Sequence, residues 1–369
     1  MRVLVVSAPL TGHVLPLLPL AGALREAGHE VLVATAADAL RAVRSGLPVR
    51  DVAPAFDFGR IARGVMLRHP LVARSELAGT AGTRGAGLLF GAVNDQLADG
   101  VLAVGREWRP DLVIHEPFAV AGALAAAILG VPAVRQENAL FDGRELARAT
   151  LARLGPALRR HGLTDLPPPA AAIAVAPPSV LSQDGWPMRY GTDLGDGGLP
   201  DWLREPGERP RVLVSRSTVA GPGSAGPMPA VVAVADRVDA EFVLVRPTAR
   251  LARRGLPGNV RTVDWIPIPA ALAASAALVH HGGAGSVYAA LTAGVPQLAT
   301  VGAGDRRHNA ELVAACGAGI ALRARDVTAD ALTRLVTDVA LRDAARRVGA
   351  EIAAMPGPAE LVRRLESLR

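Results

Sequence analysis

Residues 277–297 read ALVHHGGAGSVYAALTAGVPQ, and this stretch decides the fold. A short apolar run ends in His280 and His281, a glycine-rich turn follows, and a helical pattern begins at once. That is strand, tight loop and helix, with the loop at the carboxyl end of the strand, where open α/β sheets bind ligands. Backbone N–H groups at such a helix start carry the positive end of the helix dipole and favour a phosphate. Gly282, Gly283 and Gly285 let the backbone approach an anion closely. Ser286 adds a hydroxyl donor, and His281 an imidazole donor able to bring charge toward a diphosphate. The stretch predicts a nucleotide diphosphate site; its plain alternative is a tight turn carrying two surface histidines.

The same alternation runs outward in both directions. Strands are predicted at 3–7, 30–35, 48–52, 111–115 and 133–136, with helices at 17–27, 93–108, 119–129 and 145–161. Segment 53–91 loses clean periodicity and reads as loop and short helix, a place for a variable binding surface. Residues 191–210 (GTDLGDGGLPDWLREPGERP) are full of turn formers and read as a linker. Beyond them the pattern restarts with strands at 212–215, 242–246, 260–263 and 277–280 and helices at 229–237, 270–274, 309–316, 329–336 and 343–353. A chain of 369 residues is comfortable for two domains. The expectation is an α/β protein with an N-terminal domain over 1–190, a linker, a C-terminal domain over 211–355 and a final segment, 356–369. Two such halves imply a cleft between them, suited to a two-substrate reaction.

Composition narrows the function. The formal charge is +6, and all 40 basic residues are arginine. Abundant Ala, Arg, Gly and Pro without lysine fit a GC-rich coding sequence. The arginines are scattered, with no basic run interleaved with aromatics, which argues against nucleic acid as a partner. Cys316 is the single cysteine, so no internal disulfide or thiolate metal cluster can form, in keeping with a reducing cytoplasm. The longest apolar stretch, 118–134, is broken by Gly122, Gly130 and Pro132 and is short for a membrane span. There is no D-x-D pair, no H-E-x-x-H and no Walker lysine, so no metal or cofactor is expected. Gly221–Gly226 satisfies G-x-G-x-x-G, but residues 216–220 separate it from its strand, which discounts a nicotinamide site.

Further residues stand where chemistry can happen. His13 follows the first strand directly and could take a proton from an acceptor hydroxyl, or could cap the next helix. Glu116 ends the strand DLVIH in the same half and could orient the His13 ring, or could be a surface charge. His115 should face the other way. Asp305 could read sugar hydroxyls beside the phosphate turn, or could cap the helix after it. Trp265, at a strand end, could stack on a base, or could wedge the two domains apart.

With those residues in place, the chain resembles glycosyltransferase family 1 enzymes of the GT-B fold. It is most like actinobacterial enzymes that attach deoxysugars to antibiotic aglycones. The likeness rests on GHVLPLLPLAGALREAGHEV, PDLVIHEP, NVRTVDWIPIPAAL, HHGGAGSVYAALTAGVPQL and GDRRHNAELVAACGAGIAL. It implies two Rossmann-like parallel-sheet domains facing a cleft, with His13 as general base and Glu116 as its partner. It also implies diphosphate contacts from His281, Gly283 and Ser286, the base at Trp265 and donor-sugar contacts at Asp305. Ser217 and Thr218 fall in the donor loop, and a last helix crosses back to the first half. The implied reaction is inverting, metal-independent transfer from a nucleotide diphosphate sugar, thymidine-linked by the likeness, to a hydrophobic aglycone. An oxygen acceptor is favoured over carbon, with 53–91 and 141–148, including Phe56, Phe58, Phe90 and Phe141, as the acceptor surface. Three positions depart from the family pattern: Asp305-Arg306 where Asp-Gln is usual, Ser215-Arg216-Ser217-Thr218 where a glycine is usual, and Glu116 where aspartate is usual. The rival readings are a nucleotide-sugar epimerase of the same fold and a non-catalytic partner of another transferase. Oligomeric state is left open, a homodimer among the options.

Overall fold

The computed structural model describes residues 1–43, 46–192, 198–217, 226–253 and 255–368. They form two α/β lobes. The first holds strands β1 (Arg2–Val6), β2 (Glu30–Thr35), β3 (Val49–Asp51), β4 (Leu112–His115), β5 (Ala133–Gln136), β6 (Ala171–Ala174) and β7 (Trp186–Pro187) in the order β3-β2-β1-β4-β5-β6-β7. The second holds β8 (Arg211–Ser215), β9 (Glu241–Val245), β10 (Val260–Val263), β11 (Ala277–His280), β12 (Gln297–Val301) and β13 (Gly319–Arg323) in the order β10-β9-β8-β11-β12-β13. Every strand pair is parallel. Helices must then cover both faces, which is why central strands such as RVLVV and RVLVS are nearly continuous in apolar residues and buried. In both sheets the order reverses beside the first strand of the lobe, leaving a crevice at the carboxyl ends.

Several elements differ from expectation for tertiary reasons. Segment 53–91 is mostly helical: Phe58–Arg68, Pro70–Leu77 and the start of a long helix, Thr83–Trp108. Its glycines mask the helical pattern, yet they are packing positions. A Cβ on Gly87 would lie 2.6 Å from the Ala149 carbonyl, and one on Gly91 would strike Arg153. The helix expected over 145–161 is two helices, Gly143–Leu151 and Gly155–Arg160. Pro156, with no N–H to give, starts the second. Strands β6 and β7 lie in proline-rich sequence that hid them. The described part of the expected linker, 198–210, is partly docked: Leu203 is fully buried, and the guanidinium groups of Arg211 and Arg261 lie over the Trp202 ring at 5.4 and 5.0 Å.

The lobes share buried surface. The chain's two tyrosines, Tyr190 and Tyr288, stack at 3.8 Å and 8° between the first lobe's core and the helix Ala284–Ala293. The Tyr288 hydroxyl donates to the Ala139 carbonyl at 3.4 Å. The last helix, Pro358–Glu366, packs on the helix Leu18–Glu26 of the first lobe, with Leu361, Val362 and Leu365 buried and His29 paired to Glu366 at 3.0 Å. Leu365→Ala should therefore destabilise the protein by about 2–5 kcal/mol. A lower urea midpoint at unchanged slope is expected; a wild-type midpoint would mean this helix lies outside the cooperative unit.

Candidate active site

His13 lies on the short helix Thr11–Val14 just past β1, and Glu116 follows β4, the neighbouring strand. Adjacent parallel strands thus deliver both side chains to one edge. His13 Nδ1 donates to Glu116 Oε1 at 3.2 Å. The same carboxylate accepts the backbone N–H groups of Ala8 at 3.0 Å and Phe118 at 2.8 Å and is fully buried. Its extra methylene relative to aspartate does not prevent the contact. Holding Nδ1–H leaves Nε2 as the basic nitrogen of the ring. The ring sits against Phe90 at 5.2 Å and Phe118 at 5.3 Å, which themselves meet at 4.2 Å. His115 points away, buried, with its pKa lowered to about 4 chiefly by desolvation.

Across the cleft, Gly282 takes φ +86°, where a Cβ would lie 2.8 Å from the Thr300 carbonyl and 2.9 Å from that of Arg306. Only glycine fits there. Gly283 caps the helix Ala284–Ala293, and the His281 ring folds over it, Nε2 standing 2.5 Å from where a Cβ would be. Gly285 and Ser286 lie in the first turn, with the Ser286 N–H on the Gly283 carbonyl at 3.0 Å. His280 pins the turn as a neutral ring. Its Nδ1 accepts the Gly282 N–H at 3.1 Å, and its Nε2 donates to Gln297 at 2.8 Å. His280 is fully buried and His281 is half-buried. His281 is not a ready charge: burial first, then the charges of His280, Arg306 and Arg246, hold its pKa at about 3. It is a neutral N–H donor, a correction to the expectation that it brings charge.

Asp305 precedes the helix Arg306–Ala315, but its side chain makes no capping hydrogen bond. It accepts from Asn309 Nδ2 at 2.7 Å, and the same amide donates to the Gly282 carbonyl at 2.9 Å. Burial raises its pKa, while the charges of Arg306 and His13 work against that. Asp305 and His13, from different lobes, are thus in electrostatic reach of one another. Glu76 also faces Asp305, whose charge, after burial, raises the Glu76 pKa. Around them the lobes are tied by one segment. Gly304 N–H donates to the Glu76 carbonyl at 3.2 Å, Arg307 Nε to Ala78 at 3.2 Å and His308 Nε2 to Leu140 at 2.8 Å.

The remaining expected residues have varied placements. Trp265 follows β10, the edge strand of its sheet, and is 43% exposed. Ser217 is buried, its hydroxyl accepting from Arg306 at 3.4 Å; Thr218 lies outside the described residues. Of the acceptor aromatics, Phe90 borders His13, whereas Phe56 and Phe58 pack against the first lobe's core. Phe141 stacks on His308 at 4.1 Å. Sequence reasoning missed Phe118, Asn309, Glu76 and Arg246. Phe118, two residues past Glu116, and Arg246, at the end of the strand expected over 242–246, had a positional signal. Among the described residues no group of three His, Cys, Asp or Glu side chains is arranged to hold a metal, and no helix is long and apolar enough to cross a membrane.

Known proteins align with this arrangement along the whole chain. Residues 22–217 match the family model described as erythromycin biosynthesis protein CIII-like, N-terminal domain, and residues 229–368 match its C-terminal domain. The elloramycin glycosyltransferase ElmGT of Streptomyces olivaceus is 36% identical over 100% of this chain and 97% of its own. The aklavinone 7-beta-L-rhodosaminyltransferase of Streptomyces galilaeus is 33% identical over 100% and 96%. The glycosyltransferase SsfS6 of Streptomyces sp. SF2575, solved with thymidine diphosphate, superposes with a TM-score of 0.82 at 31% identity, over 100% of this chain and 99% of that one.

Buried neutral histidines predict acid lability. His115 and His280, at about 4, and His281, at about 3, stay unprotonated in the fold, while unfolded histidine takes a proton near 6.5. Their contribution is full above about pH 6.5 and is lost as pH falls toward 4. Glu137, raised to about 7 by burial, runs the other way, since the fold keeps its proton where the unfolded chain gives it up. Asp305 and Glu76, also raised by burial, act with Glu137; the histidine contribution is the larger because three rings are displaced far below 6.5, so the urea midpoint should fall between about pH 6.5 and 4.5. A midpoint that is flat or rises on acidification would refute the assignment.

Proposed function

Because the chain belongs to the erythromycin biosynthesis protein CIII-like family and is a glycosyltransferase, we propose that it moves a deoxysugar from a thymidine diphosphate donor to a hydroxyl of a hydrophobic natural-product aglycone, with inversion. The donor lies in the second lobe, its base on Trp265 and its diphosphate over the helix start at Gly283–Ser286, with Asp305 toward the sugar. The aglycone lies in the first lobe against Phe90 and Phe118. One observation carries the reading: a carboxylate-held imidazole stands at the carboxyl edge of one sheet and a glycine-lined helix start at that of the other, with Asp305 in electrostatic reach of His13.

The step follows from that arrangement. His13 Nε2 takes the proton of the acceptor hydroxyl as its oxygen bonds to the anomeric carbon from the face opposite the diphosphate. The bond from that carbon to the diphosphate oxygen breaks, and its electron pair leaves with the nucleoside diphosphate. Glu116 keeps Nδ1–H in place and favours the imidazolium that forms. The helix start contributes about 0.3–2 kcal/mol toward the departing anion. Alignment of the two substrates in the closed cleft contributes more, since effective molarities reach about 10⁵–10⁸ M. Protein groups, with no metal, supply the charge compensation in this proposal. Thymidine diphosphate as the ligand is supported by its presence in the SsfS6 structure. An antibiotic-type acceptor is supported by the names of the two relatives.

His13→Ala should lower kcat by about 10²–10⁴-fold and leave the calorimetric affinity for thymidine diphosphate unchanged. Undiminished turnover with an accepted aglycone would remove His13 from the base role. In titrations of the wild-type protein, thymidine diphosphate should bind at least about tenfold tighter than uridine diphosphate, a difference of about 1.4 kcal/mol. Equal binding would withdraw the thymidine assignment.

A further inference from the structure

We propose that Arg216, Arg246 and Arg306 form a clamp for the diphosphate of the donor and of the nucleoside diphosphate that leaves. This rests on the reading above and adds the residues that carry the permanent positive charge. The neighbouring strands β9, β8, β11 and β12 release, past their carboxyl ends, Arg246, Arg216, His281 and Arg306 in that spatial order. Their side chains interlock. Arg216 Nε donates to the Arg246 carbonyl at 2.5 Å, Arg246 Nη2 to the Ser217 carbonyl at 3.3 Å and Arg306 Nη2 to the Ser217 hydroxyl at 3.4 Å.

All these partners are neutral. Among the described residues none of the three guanidinium groups forms an ion pair with a carboxylate. Other partly or fully buried arginines do: Arg135 pairs with Glu137 at 2.8 Å and Arg211 with Glu241 at 3.0 Å. Burial and the charge of Arg216 lower the Arg246 pKa, so the cluster repels itself as it stands. Arg246 also holds φ +54°, a left-handed backbone for a non-glycine residue, with its N–H on the Val263 carbonyl at 2.8 Å. Strain of that kind gathers at ligand sites. Beside the cluster, His281 Nδ1 is buried with no hydrogen-bond partner, and Gly226, at φ +58°, lies near both Arg216 and His281, a Cβ on it standing 3.6 Å from the His281 Cβ and 3.8 Å from the Arg216 Cα. Three like charges and an unsatisfied ring nitrogen around the anion-binding turn are satisfied together by one diphosphate. Guanidinium forks match phosphate oxygens in pairs. Because His281 is neutral, the arginines supply what that ring does not.

The test is calorimetry with thymidine diphosphate, thymidine monophosphate and thymidine. Arg216→Gln, Arg246→Gln and Arg306→Gln should each weaken the diphosphate at least about tenfold and leave thymidine unchanged. In the wild-type protein, which needs no variant to fold, diphosphate affinity should drop at least about tenfold from about 0.05 to 0.5 M salt while thymidine affinity holds. If the wild-type protein binds thymidine diphosphate but variants with wild-type melting curves lose less than about twofold, or its affinity ignores salt, the clamp is wrong and the donor site stands. If the wild-type protein binds no thymidine diphosphate, the donor reading falls and the clamp with it.

Discussion

Parallel pairing of every strand is the constraint from which the rest follows. A parallel strand must be reached by a crossover, and the crossover helix returns the chain to the same edge each time. All carboxyl ends of a sheet therefore face one way, and the loops that leave them collect at one crevice. In this protein each sheet reverses its order beside its first strand, so β1 and β4 present His13 and Glu116 side by side. By the same rule β8 and β11 present Ser217 and His281 together. Residues more than a hundred positions apart become neighbours without any special loop.

Electrostatics divides the work between the two walls of the groove. On one, a fully buried carboxylate is satisfied by two backbone N–H groups before it meets the histidine. Such a carboxylate is a fixed acceptor that orients the ring instead of wandering with solvent. On the other, burial denies His280 and His281 a charge and leaves them as directional hydrogen-bonding groups. Positive charge sits instead on arginine, which burial cannot neutralise at any ordinary pH.

A small number of contacts join the lobes. The Tyr190–Tyr288 stack and the docked last helix extend the first lobe's core across the boundary. Segment 304–308 then fastens the donor-side loop to Glu76 and Ala78, at the end of the helix Pro70–Leu77, and to Leu140. The segment that carries Asp305 thus also ties the two lobes together.

The sequence by itself determined the α/β class, the two-lobed arrangement of parallel sheets, and the placement of His13, Glu116 and the glycine turn at strand ends. Those features follow from local periodicity and from glycine's conformational freedom, which are written in consecutive residues. It was misleading where local pattern and packing disagree: glycines 85, 87 and 91 interrupt the helical signal, yet the helix Thr83–Trp108 runs through them because small residues let its neighbours approach. It was silent on Asn309, which holds the turn and Asp305 at once, and on the strained Arg246, whose roles exist only once separate strands are laid side by side. Tertiary structure alone decided that His281 is neutral, that the Glu116 contact reaches His13 and that Phe141 stacks at the lobe junction. Burial, dielectric and distance are properties of the folded arrangement, and no run of residues encodes them.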